Sequence, residues 1–312
     1  MCPLEYYHLL KAKGQEKIVL IDKEYEKFKE TAKVGLSTDR YELSDTSKTL
    51  DLPISLATFR GHEGKTLLEV YYAVPLNKLR KAHRDSTETI ELEKGFTIQD
   101  TNWRLLEKTK DKIYLPKDKN NSFIDCFQFV VKPDSYNLSM YMNPRGTSLL
   151  GGWKFEKRIE DYSGSELKIS DIQLASDIEP AMRSHKFVKN DLLIVPNPTR
   201  QIFRKTPQFI YFEIYNLVRN DRGRTNYSIE YSVTSEEIEA RGVKKVLSLF
   251  GGGTKSTITA TIDREGNNEF SAEYFQLDVS RVKAGEYVLI LKVKDHHSGR
   301  EVMRKMNIHI SS

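Results

Sequence analysis

The sequence predicts a mainly β protein: two tandem immunoglobulin-like β-sandwiches behind a short N-terminal helical segment. Three observations carry that expectation. From Leu52 onward apolar residues recur with a period of two, as in Leu68, Val70, Tyr72 and Val74 or in Tyr227, Ile229, Tyr231 and Val233. Turn residues separate these runs at the short spacings of sandwiches and barrels. Finally, Leu68-Glu69-Val70-Tyr71 is echoed 144 residues later by Phe212-Glu213-Ile214-Tyr215. A second echo follows in the same order, "FQFVVKPDSYNLSMYM" against "FQLDVSRVKAGEYVLILKV", as two copies of one unit separated by small loop insertions would produce.

A length of 312 residues is that of two domains rather than one. Residues 1–48 form the expected extension and connector. Ile18, Ile21, Tyr25 and Phe28 share one helical face, and "STDRYELSDTSKT" is a polar connector. The first sandwich is expected over 49–178, with strands in "TLLEVYYAVP", "GFTIQDTNWRLLEK", "CFQFVVKPDSYNLSMYM" and "GGWKFEKRIEDY", closed by "KISDIQLASDIEP". Positions 179–190 then form a linker. The second sandwich, 191–312, opens with Pro196-Asn197-Pro198, a turn that ends a strand because proline has no ladder donor. The run "FIYFEIYNLVRNDRGRTNYSIEYSVT" is a hairpin with Ile210, Phe212 and Ile214 on one face.

Composition narrows the function. The net charge of +5, from 49 basic and 44 acidic residues, is spread along the chain, without the concentrated basic face of a nucleic-acid binder. Only Cys2 and Cys126 occur, too few for a disulfide framework or a zinc signature. No window reaches the ~20 apolar residues of a membrane helix, and no apolar leader precedes Cys2. The chain therefore reads as soluble, either cytoplasmic or cut from a longer exported protein.

The motifs with chemical overtones read as structure. "DHHSG" (Asp295 to Gly299) has the letters of a metal phosphoesterase but lacks the further ligands that two metal ions need, so a polar turn is expected. "FGGGTKST" has the wrong spacing for a phosphate loop and precedes a strand. The seven histidines are scattered, and no serine sits in a Gly-x-Ser-x-Gly elbow. No catalytic residue, metal ligand or cofactor site is expected, and the chain is read as a non-enzyme. Trp103 and Trp153, with Tyr71, Tyr72 and Tyr141, could form an aromatic platform for sugar or peptide, although the same residue types also fill sandwich cores.

The phrases "LATFRGHEGKTLLEVYYAVPL", "LKISDIQLASDI", "LLIVPNPTRQIF" and "FIYFEIYNL…GRTNYSIEYSV" resemble the region that follows the Gly-Trp-x-Thr-Asp motif in bacterial GWxTD-domain proteins. The resemblance covers most of residues 50–312; the motif itself is absent, and "GGWKFEKR" around Trp153 does not supply it. It implies the β-sandwich portion of such a protein and a bacterial envelope or secretory setting, and it carries no activity over. Together these readings lead to a non-catalytic interaction or structural module that binds a protein partner through loops or an edge strand. The alternative is a carbohydrate-binding module using Trp103, Trp153 and Tyr141.

Overall fold

The computed structural model describes residues 26, 29–30, 49–83, 89–116, 122–235 and 258–312. The expected N-terminal helix lies outside them apart from Glu26, Lys29 and Glu30, which are helical and carry a Lys29–Glu26 ion pair at 2.7 Å. "FGGGTKST" also lies outside. The fold is mainly β, as the period-two patterning requires. Among the described residues no helix is long and apolar enough to cross a membrane.

Four sheets organise the described residues. Sheet I joins β1 (Ile54–Arg60), β2 (Thr66–Pro75) and β5 (Ser122–Val131). Sheet IV, in the order β4-β3-β6-β7, is built from β3 (Thr89–Gln99), β4 (Leu105–Pro116), β6 (Ser135–Pro144) and β7 (Gly151–Arg158). A short helix, α1 (Leu76–Ala82), follows β2 and buries Leu76 and Leu79.

Sheet II runs β10-β11-β9-β13-β16, from β9 (Gln173–Pro180), β10 (Val188–Lys189), β11 (Leu192–Pro196), β13 (Phe209–Tyr215) and β16 (Phe270–Gln276); β8 (Lys168–Ile169) also pairs with β13. Sheet III runs β12-β18-β17-β14-β15, from β12 (Gln201–Phe203), β14 (Thr225–Ser235), β15 (Ile258–Gly266), β17 (Gly285–Asp295) and β18 (Glu301–Ser311).

The strands group into two compact units that are threaded through one another in sequence. One comprises 1–52, 73–123 and 134–158, and contains sheet IV; the other comprises 53–72, 124–133 and 159–312, and contains sheets II and III with most of sheet I. The division crosses β2 and β5. Strands β1, β2 and β5, expected among the consecutive strands of 49–178, thus contribute chiefly to the second unit. The stretch 179–190, expected as a linker, carries the end of β9 and the strand β10. Its polar, proline-containing sequence hides the pairing, which is supplied by β11.

Within the second unit β13 is buried on both faces. Ile210, Phe212 and Ile214 face sheet III in a core with Ile229, Val233, Leu289, Leu291 and Ile308, so sheets II and III form a sandwich. On its other face Tyr211 packs with Phe59, Tyr71, Cys126 and Ile194, under sheet I. Sheet II is therefore the middle layer of three. Between β8 and β9 the edge is interrupted at Ser170, whose Oγ accepts the Glu213 N–H at 2.9 Å in place of a ladder carbonyl. Next to it Asp171 accepts the N–H and hydroxyl of Thr58 at 3.1 and 2.8 Å, tying sheet I to sheet II.

The Pro196-Asn197-Pro198 turn ends β11 as proline chemistry requires, and Asn197 organises it by donating to Gln201 O and Gln208 Oε1 at 2.9 and 2.8 Å. "DHHSG" is a structural turn: Asp295 accepts from Val218 N, His297 N and Ser298 Oγ at 3.0, 3.0 and 2.7 Å. Among the described residues no group of His, Cys, Asp and Glu is arranged to hold a metal ion.

Candidate functional site

Of the aromatic residues singled out in the sequence, Tyr71 and Tyr72 are buried in β2, while Trp153 and Tyr141 in sheet IV and Trp103 in its β3–β4 turn are not gathered into one platform. In the β6–β7 register Met140 faces Trp153 and Tyr141 faces Gly152. Because successive side chains alternate between faces, Trp153 and Tyr141 lie on opposite sides of the sheet. Trp153 is 40 % exposed and meets Phe155 edge-on at 5.0 Å. Tyr141 is buried, donates to Glu93 at 3.3 Å, and lies so closely over Gly95 that a Cβ there would come within 2.2 Å of its ring. Burial, then the Glu93 charge, raises its phenol above the usual range.

Trp103 occupies the turn between β3 and β4, 5.9 Å from Lys154 Nζ. Asp100 Oδ1 accepts the N–H groups of Asn102 and Arg104, both at 2.9 Å. The β13–β14 turn repeats this pattern, with Asn220 Oδ1 accepting from Arg222 and Arg224, both at 3.0 Å. The fourth position of that turn is Gly223 at φ 73°; in the β3–β4 turn it is Trp103 at φ 63°. A bulky side chain in this region is disfavoured, whereas glycine adopts it freely.

An edge strand with exposed aromatic side chains lies in the second unit. The edge strand β16, "FSAEYFQ", pairs on one side with β13 from Phe209↔Gln276 to Tyr215↔Phe270. Leu277 donates to Gln208 O at 2.8 Å, while Ser170 and Glu213 exchange bonds on the opposite side of β13. Antiparallel alternation then directs the N–H and C=O groups of Ser271, Glu273 and Phe275 toward β13. Those of Phe270, Ala272, Tyr274 and Gln276 point to the open edge.

The side chains on β16 are not those of a guarded edge. Phe270 and Tyr274 are 37 % and 45 % exposed, and Phe270 stacks on Tyr215 at 6.0 Å. The strand carries no lysine, arginine or proline, the residues that natural edges use to repel a further strand. Its one charge, Glu273, is turned inward and accepts from Tyr227, Ser271 and Arg264 at 2.6, 2.8 and 3.3 Å.

Beneath β16, the two Glu-x-Tyr echoes occur in the same unit. Each exploits the common face of residues i and i+2 in a strand. Tyr71 donates to Glu69 in β2, and Tyr211 and Tyr215 each donate to Glu213 at 2.6 Å in β13. Sequence reasoning took the echo as a mark of repetition and missed the pairing, for which the Glu-x-Tyr spacing was the available signal. Cys126 lies in the same interlayer, its thiol pushed up to about 12 by burial and then by Glu69, the state of an inert core cysteine.

No family model matches the sequence, and no curated protein matches it. Among solved structures the chain is similar to Escherichia coli alpha-2-macroglobulin activated by porcine elastase, with 6 % identity and a TM-score of 0.28. The match covers 84 % of this chain and 24 % of that one.

Proposed function

We propose that the chain is a non-catalytic, protein-binding module with an immunoglobulin-like sandwich in sheets II and III, and that it takes an extended segment of a partner protein along β16. The single observation that carries this reading is the unguarded edge. Among the described residues no strand pairs with the outward backbone groups of four of its residues, Phe270 and Tyr274 are exposed beside them, and the strand itself carries no cation or proline. Strand addition draws affinity from main-chain bonds and specificity from the alternate side chains. The experiment is capture of partners from extracts of the source organism by the intact chain and by Tyr274→Lys, which installs a cation on the edge at an exposed position. A protein retained by the wild type and lost with the folded variant is expected. Equal retention, or no partner with folded bait, would remove the proposal.

A second reading, carbohydrate binding through sheet IV, is favoured by Trp103, whose disfavoured backbone geometry presents an indole where glycine would fit. Trp103→Phe should then abolish signals on a glycan array; an unchanged or blank array would count against it.

A further inference from the structure

The hairpin between β10 and β11 turns through Asn190 and Asp191, at φ 47° and 62°, the double positive φ of a two-residue type I′ turn. Its tip drives three polar side chains into the layer between sheets I and II. Lys186 pairs with the buried Asp125, Lys189 pairs with the buried Glu69, and Asn190 donates to Tyr211 and Glu213 at 2.6 and 2.9 Å.

Lys189 is the unusual member. Its ammonium lies 4.5 Å from the ring centre of Phe59, 5.5 Å from that of Tyr71 and 5.8 Å from that of Tyr211. It also donates to the Tyr71 hydroxyl at 3.0 Å. Glu69 is held in place by Gln128, which donates to its other oxygen at 2.6 Å. The Phe59 ring, two further aromatic rings, the Tyr71 hydroxyl and one fixed carboxylate form a surrounding suited to an organic ammonium group, and here the cation comes from the chain itself.

We propose that Phe59, Tyr71, Tyr211 and Glu69 form a binding cage for primary alkylammonium groups, which the hairpin keeps shut with its own Lys189. The ligand class in trans is a small alkylamine or a lysine side chain, admitted where the lysine stem now passes to the surface. The site is separate from the β16 edge and stands whether or not that edge binds a partner.

Lys189→Ala tests the cage, because the atoms it deletes beyond Cβ are those of n-propylammonium. The variant should melt below the wild type. Adding ~0.1 M n-propylammonium chloride should raise its melting temperature about 3–5 °C above the value in equal sodium chloride, since a ligand of the folded state stabilises it by mass action. Propanol should have no such effect. Lys189→Met, which refills the channel with neutral atoms, should not respond. Should Lys189→Ala fail to fold unaided, refolding from urea should recover it with propylammonium and not with sodium chloride. A response no greater than that to sodium chloride, an equal response from Lys189→Met, or no selective recovery on refolding would overturn the proposal.

Discussion

Strands β4 and β16 both close a sheet with one open side, and they treat that side in opposite ways. β4 is twelve residues long and exposed along most of its length, with Leu105, Leu106 and Tyr114 in solvent. Between them lie Lys108, Lys110 and Lys112, which share one face; Lys110 pairs with Glu93 at 3.0 Å and Lys112 with Glu91 at 2.7 Å. A strand laid against β4 would have to desolvate this row of cations. β16 has seven residues, exposed aromatics and an inward-facing carboxylate. The difference teaches that exposed apolar area and cationic protection are separate properties of an edge: β4 has more of the first, and of the two strands only β16 lacks the second.

The largest change should come from erasing the guard. With Lys108, Lys110 and Lys112 all replaced by threonine, β4 becomes a long edge without cations, and light scattering should show self-association that the wild type lacks. The lost ion pairs would matter little to folding, since exposed pairs contribute about 0–1 kcal/mol. A variant that scatters like the wild type would mean that charge does not protect this strand. Next, Glu273→Ala should destabilise the second unit by about 2–3 kcal/mol, because Tyr227 and Ser271 lose a charged acceptor inside the protein. The urea midpoint measures this, and a change below ~0.5 kcal/mol would show that β16 is not anchored through its carboxylate.

A third expectation concerns the layer under β16. Burial, and then the neighbouring Glu69 or Glu213, holds the phenols of Tyr71, Tyr211 and Tyr215 above their usual range. The folded chain thus keeps protons that the unfolded chain releases above about pH 10. This contribution to stability is fully present below that pH and declines as pH rises beyond it. Urea unfolding across that range should follow the decline, while Glu69→Gln with Glu213→Gln should lessen it and leave the part that burial causes. The smallest effect is expected from Trp103→Gly, which should stabilise the first unit by about 1 kcal/mol by relieving the left-handed backbone strain. A loss of stability there would show that the indole is held for packing rather than for display.

Much of the local structure was legible. The alternation of Tyr227, Ile229, Tyr231 and Val233 marks a strand with one face in the core, and all four are buried. Pro196 marks the end of β11. What the alternation could not convey is what lies on the other face. Tyr211, Glu213 and Tyr215 form the second face of β13, which is buried under sheet I, and the carboxylate is tolerated because Asn190, Tyr211 and Tyr215 donate to it. Neighbour order was equally hidden: nothing within "FSAEYFQ" says that β13 lies on one side and no described strand on the other. The strain at Trp103 had no sequence signal, because "DTNWR" lacks the glycine that announces such a turn in "DRGR".

The threading of the chain sets a schedule for its synthesis. Strand β1 leaves the ribosome early, but Thr58 must wait 113 residues for Asp171 and Arg60 must wait 156 for Asn216. At ordinary elongation rates of ~5–20 residues per second, the second delay lasts roughly 8–30 s. All the strands of sheet IV are made within that interval. Nascent sheet I meanwhile holds Phe59 and Tyr71 without the layer that covers them, so chains halted before β13 should be the ones that chaperones retain.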